Sequence, residues 1–187
     1  MAHTQVFTEF REHFPLLSRQ TYLDTAAWGL LHDGLFRWRR EHDRDFLHGG
    51  SRFKIRAMEL LGETRERIGH CFGAPADRIA LLPNYSLGQN LLMEGLSEGD
   101  SAAFFEGEYP SVAWPFEQRG IPLHRIPREA DPEAALLRVL ERDKPTVLAL
   151  SLVQWTDGLM IHPDFLREVK QRYPNLLILA DGTQYLG

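Results

Sequence analysis

Four short polar clusters, each placed just after an apolar run, hold the residues with the most chemical capacity. They are Pro83-Asn84-Tyr85-Ser86-Leu87-Gly88, Glu108-Tyr109-Pro110-Ser111, Ser151-Leu152-Val153-Gln154-Trp155-Thr156-Asp157-Gly158 and Asp181-Gly182-Thr183-Gln184. In the first, a helix beginning near Ser86 offers free amides and a hydroxyl, which suit an anion such as phosphate; Ser86 serves equally as an ordinary cap. In the second, Tyr109 can lie flat against a planar heterocycle or pack half-buried. The third ends a buried run in polar and aromatic residues followed by glycine, which also describes a turn with a tryptophan packed beneath it. In the fourth, Asp181 directly follows an all-apolar run. An unpaired carboxylate is costly to bury, so it either caps the next turn or meets a cation.

The elements that must position these clusters are legible from periodicity and punctuation. A short helix around Phe7–His13 and an extended Tyr22-Leu23-Asp24 precede two charged helical stretches, Asp33–His48 and Arg52–Cys71, separated by Gly49-Gly50. Apolar runs then read as strands at Ile79–Leu82, Ala102–Glu106, Leu123–Ile126, Thr146–Val153 and Leu176–Ala180. Between them lie helices near Ser86–Leu96, Ser111–Arg119, Pro132–Arg142 and Pro163–Tyr173, the third opening on Asp131-Pro132 as cap and first-turn proline. Val147–Leu150 and Leu176–Leu179 are apolar on both faces, as befits strands covered by helices on each side. The expected fold is α/β, a layered αβα arrangement with a mostly parallel sheet. Ligands of such sheets bind beyond the carboxyl ends of the strands, where all four clusters fall.

Composition narrows the classes of function. The 187 residues are 43% apolar with a formal net charge of -5, so there is no basic field to gather nucleic acid or anionic lipid. Cys71 is the only cysteine, which excludes an internal disulfide framework and a multi-cysteine metal site. A cytoplasmic setting is expected, and no stretch approaches the roughly 18 apolar residues of a membrane span. None of the eight histidines forms a helical H-x-x-x-H pair, so no metal is expected. No G-x-G-x-x-G follows a strand, which disfavours a Rossmann module.

The clusters together, in order and approximate spacing, resemble the class V aminotransferase family of fold-type-I pyridoxal-phosphate enzymes. That family includes cysteine desulfurases, selenocysteine lyases, kynureninases and epimerase-like members. Tyr22-Leu23-Asp24-Thr25-Ala26-Ala27 is similar to its opening YLD-x-AA, and Asp181-Gly182-Thr183-Gln184-Tyr185-Leu186-Gly187 to its D-x-x-Q-x-x-G. The resemblance implies an N-terminal helical segment over residues 1–20 and a partial large domain over 21–187. It implies pyridoxal 5′-phosphate as cofactor and an amino-acid substrate. Tyr85 and Ser86 would hold the phosphate on a turn shaped by Asn84, and Tyr109 would stack on the ring. Asp181 would pair with the ring nitrogen, Gln184 would donate to the phenolic oxygen, and Gln154 or Trp155 would lie near that oxygen.

Some positions depart from the desulfurase pattern: Tyr109 replaces histidine, Leu87 a frequent glutamate, and Trp155 an asparagine. Val153–Gly158 is closer to kynureninase-like and epimerase-like members. The family's Schiff-base lysine would follow Asp181 by about one further strand and turn, beyond Gly187, and Lys54, Lys144 and Lys170 are not placed to replace it. The sequence is thus expected to be the front half of an aminotransferase, lyase or epimerase that is homodimeric at full length. The alternative is an inactive truncated relative that binds only the cofactor or a partner.

Overall fold

In a computed structural model describing residues 2–186, the chain forms two compact units that divide between Leu81 and Leu82. The first unit is helical, with α1 (Ala2–Glu12), α2 (Asp33–Gly49) and α3 (Ser51–Phe72) and single 3-10 turns at Pro15–Ser18 and Ala76–Arg78. Gly50 ends α2 and caps α3 at φ 52°, ψ -131°, a backbone conformation that strains any residue bearing a Cβ. The two helices meet through rings, with His42 and Phe46 of α2 within 5.0 Å of Phe53 of α3, centroid to centroid. Among the described residues of this unit only Gly69 is buried.

His13, His32 and Asp33 bring their ligand-type atoms within 4.8 Å of one another, a grouping their sequence spacing does not reveal. The two imidazoles stack at 28°, so their in-plane lone pairs run side by side rather than converging. The other bonds are local: His32 Nδ1 accepts from Gly34 N at 2.8 Å, and Arg37 donates to Asp33 at 2.7 Å. The group fixes the start of α2.

Ile79–Leu82, expected as a strand, is not one. Ile79 has extended backbone, but the run pairs with no strand among the described residues, and Ala80 and Leu82 are exposed. A strand is defined by where its backbone groups bond, which apolar content alone does not supply.

The second unit contains α4 (Tyr85–Met93), β1 (Ala102–Phe105), α5 (Pro110–Gln118), β2 (Leu123–Ile126), α6 (Pro132–Asp143), β3 (Val147–Ser151), α7 (Pro163–Arg172) and β4 (Leu177–Asp181). Its four strands form one parallel sheet in the order β2-β1-β3-β4. Side chains alternate between the faces. Ala103, Phe105, Leu148 and Leu150 join Leu136, Val139 and Leu140 of α6 and Leu166 and Val169 of α7. Ala102, Phe104, Val147 and Ala149 join Val112 and Phe116 of α5 and Met93 of α4. The result is the expected αβα layering, with β1 and β3 fully buried because both faces are covered. At α6, Asp131 caps through Ala134 N at 3.0 Å and Pro132 opens the first turn, as the sequence implies.

No described helix is long and apolar enough to cross a membrane.

Candidate active site

The strand order sets the location. From β1 the chain passes through α5 on one face to reach β2, then through α6 on the other face to reach β3 on the opposite side of β1. The connections leaving the carboxyl ends of β1 and β3 therefore diverge to opposite faces and open a crevice between them, the usual ligand position in a parallel sheet. Three of the four sequence clusters edge this end of the sheet, and the fourth opens α4.

Glu108 sits at the centre of the crevice and is 6% exposed. Its Oε1 accepts from Tyr109 N at 2.7 Å and from Ser151 Oγ at 2.6 Å. Its Oε2 accepts from Ser151 N at 3.0 Å and from Gln154 Nε2 at 2.7 Å. Four donors satisfy a carboxylate that burial would otherwise penalise, and they tie the end of β1 to the end of β3. Sequence reasoning assigned this residue no role, although an acid three positions past a buried strand was a usable signal of the same kind as Asp181.

Gln154 is 1% exposed. Its Nε2 faces Glu108 and, at 3.4 Å, Ser151 O, while its Oε1 is buried without a hydrogen-bond partner. Gln154 and Trp155 open a hairpin closed by Gln154 N to Leu159 O and Ile161 N to Leu152 O, both 2.8 Å, with Gly158 turning at φ 74°. Arg128, just past β2, clamps this hairpin through both Asp157 oxygens at 2.6 Å and Thr156 Oγ1 at 2.9 Å. The Leu159 amide and the Arg128 charge hold the Asp157 carboxyl below the usual carboxylate range.

Asp181 ends β4 and is 6% exposed. Its Oδ1 accepts from Thr183 N at 2.8 Å and Thr183 Oγ1 at 2.5 Å, so it does cap the next turn. Its Oδ2 receives no hydrogen bond from a described residue. The carboxylate thus keeps one acceptor for another donor.

Asn84, rather than Ser86, is the N-cap of α4: its Oδ1 accepts from Leu87 N at 2.9 Å. That leaves the Ser86 hydroxyl outside the cap, donating to Ser111 Oγ at 2.9 Å across the start of α5. Two helix N-termini thereby meet at one pair of hydroxyls. Tyr85 donates from its phenol to Gln89 Oε1 at 3.2 Å, and burial pushes that phenol well above the usual tyrosine range, with the charges of Asp181 and Glu108 adding to the effect. Tyr85 therefore lies within electrostatic reach of both acids.

Tyr109 is 42% exposed, and its ring meets Trp155 edge-on at 5.8 Å and 79°. The Trp155 indole N–H points to Gly107 O at 3.4 Å. Gln184 lies on the exposed turn after Asp181. Lys144 and Lys170 belong to the opposite, amino end of the sheet, Lys144 preceding β3 and Lys170 donating to Leu176 O at 2.7 Å just before β4. A cavity lined by Leu140, Lys144, Arg172, Tyr173 and Leu176 also opens at that far end, away from the acids.

No protein-family model matches the chain, and no curated protein matches it significantly. Solved structures do. A lysine-to-alanine mutant of C-DES with glycine covalently linked to the PLP cofactor superposes with a TM-score of 0.82 at 20% identity, over 94% of this chain and 50% of that one. The complex between the cystine C-S lyase C-DES and its reaction product cysteine persulfide gives 0.81 at 21% identity, over 92% and 49%. The chain spans about half the length of these structures, and over that half it has their fold, a parallel-sheet α/β large domain of fold type I.

Proposed function

We propose that the crevice binds pyridoxal 5′-phosphate, and that the chain supplies the cofactor-holding part of an enzyme acting on an amino-acid substrate by lyase, transamination or epimerase chemistry. The observation carrying this reading is Asp181: a buried carboxylate at the end of β4 with one oxygen fixed by Thr183 and the other open to a donor. A protonated ring nitrogen is such a donor, and pairing with it would hold the positive charge.

The remaining residues fit the same group by their chemistry. The paired N-termini of α4 and α5, with Ser86 and Ser111, suit a phosphate. Asn84 and the amide of Tyr85 would shape that grip, and Tyr109 and Trp155 offer aromatic surface for the ring. Gln184 would meet the phenolic oxygen, and the buried orphan Oε1 of Gln154 marks a place where a ligand polar group is wanted. When bound, the cofactor supplies an electron sink for charge at a substrate Cα. The chain's own contribution is to orient the ring, keep its nitrogen protonated and exclude water from the carboxyl end of the sheet. Lys144 and Lys170, at the far end, provide no amine to this crevice.

The test is binding of pyridoxal 5′-phosphate, followed by calorimetry, to the chain and to Asp181→Asn, which keeps the side-chain shape and the acceptor for Thr183. Saturable binding weakened tenfold or more in the variant supports the reading. Binding that is absent, or indifferent to Asp181, would sink it.

A further inference from the structure

We propose that Glu108 is a positioning residue that locks the Gln154 carboxamide with its oxygen presented as an acceptor, so that the crevice favours ligands carrying an amino group beside the ring. The inference deepens, and rests on, the reading that the crevice takes a pyridoxal-type group.

A carboxamide has two faces of opposite character, and its surroundings decide which one is offered. Here Nε2 lies between two groups that can only accept, Glu108 Oε2 at 2.7 Å and Ser151 O at 3.4 Å. Turning the amide over would set its oxygen against both of them. Glu108 is itself held in place by Tyr109 N and by the amide and hydroxyl of Ser151, and none of these donors can rotate away without breaking the tie between β1 and β3. The orientation of Gln154 is therefore fixed by a residue on a different strand connection. Its Oε1 remains buried and without a donor, which is unfavourable until a ligand supplies one.

The resemblance implies that Gln154 or Trp155 lies near the phenolic oxygen of the cofactor. A residue near a phenolic oxygen should donate, yet the donors of Gln154 and Trp155 already point to Glu108 and Gly107. What Gln154 has left is a lone pair. An amino group carried by the ring substituent or by an amino-acid substrate is the complementary chemistry, and an aldehyde or a methyl group is not.

Pyridoxamine 5′-phosphate and 4-deoxypyridoxine 5′-phosphate differ by a single amino group, and neither forms an imine with lysine. Calorimetric titration of the chain with each gives a selectivity ratio. The native chain should prefer the amine by about tenfold or more, the size expected of a hydrogen bond to a charged donor. The near-isosteric Gln154→Met should bring the ratio close to one. Glu108→Gln should also lower it, yet add nothing when introduced into Gln154→Met, because Glu108 acts through Gln154. A purely structural role for Glu108 would weaken both ligands alike and leave the ratio standing. Equal affinities in the native chain would overturn the acceptor assignment while keeping the cofactor reading. Failure of both ligands to bind would overturn both. If Glu108→Gln does not fold, the native ratio and Gln154→Met still decide the acceptor assignment. Side-chain amide exchange of Gln154 in the native chain then tests the Glu108 lock: protected protons support it and rapid exchange overturns it.

Discussion

Ser151 and Asp181 are register partners across the parallel β3–β4 ladder, and the amide of Leu152 closes that ladder on Asp181 O at 2.9 Å. Ser151 is also the residue that gives two hydrogen bonds to Glu108. One strand end thus joins the backbone of Asp181 to the carboxylate of Glu108.

Asn84→Ala should destabilise the chain by about 1 kcal/mol, the typical value of an N-cap, because Leu87 N loses its acceptor. Urea denaturation measures this. The same variant should weaken binding of a phosphate-bearing ligand, since the first turn of α4 frays. Ser86→Ala should do the second without the first. If Ser86→Ala proves as destabilising as Asn84→Ala, the cap has been assigned to the wrong residue.

The Arg128–Asp157 clamp predicts an acid-sensitive hairpin. Asp157 has its carboxyl pKa lowered by the Leu159 amide and the Arg128 charge, so the clamp's contribution is present above the usual aspartate range near 4 and disappears as pH falls through the lower folded value. Protection of the Gly158 and Ile161 amides against exchange should fall over that acidic window. Asp157→Asn should exchange faster at neutral pH and show no such transition. An unchanged acid transition in the variant would assign it to another group.

Tyr85 predicts the opposite limb. With its phenol pKa raised by burial and by the charges of Asp181 and Glu108, the folded chain holds this proton after an unfolded tyrosine has released it. Stability therefore declines as pH rises beyond about 10, where the unfolded state ionises. Tyr85→Phe should flatten that decline in a melting series, and the highest-pH step of the ultraviolet tyrosine titration should vanish with it. Retention of the step would show that another of the five tyrosines carries it.

Most of the second unit was legible because its signals are local. Asp131-Pro132 announced α6, and the doubly apolar Val147–Leu150 announced a strand covered on both faces. The position of Asp181 after such a run implied a carboxylate that caps the next turn or meets a cation, and it does cap the turn through Thr183. What stayed hidden depends on partners far away in sequence. Ile79–Leu82 has the composition of a strand, and only the absence of a ladder among the described residues shows otherwise. The polarity of Gln154 could not be read from its own surroundings in sequence, because Glu108 sets it from 46 positions away. Asn84 and Ser86 are both good caps, and choosing between them required the direction of one side chain.

The parallel ladder also decides which changes in chain length the site can survive. Ser151 and Asp181 are aligned by backbone pairing and Glu108 is tied to Ser151 by hydrogen bonds, so residues added on the surface between Arg128 and Asp131, or around the end of α7, would lengthen a crossover and leave the acids where they are. One residue inserted within Val147–Ser151 would turn every side chain beyond it to the other face, since a strand repeats every two residues. Ser151 would then exchange places with its neighbour. Length variants of this chain should therefore accumulate in the crossovers, and deletions or duplications there are the safe points for grafting a tag or a reporter.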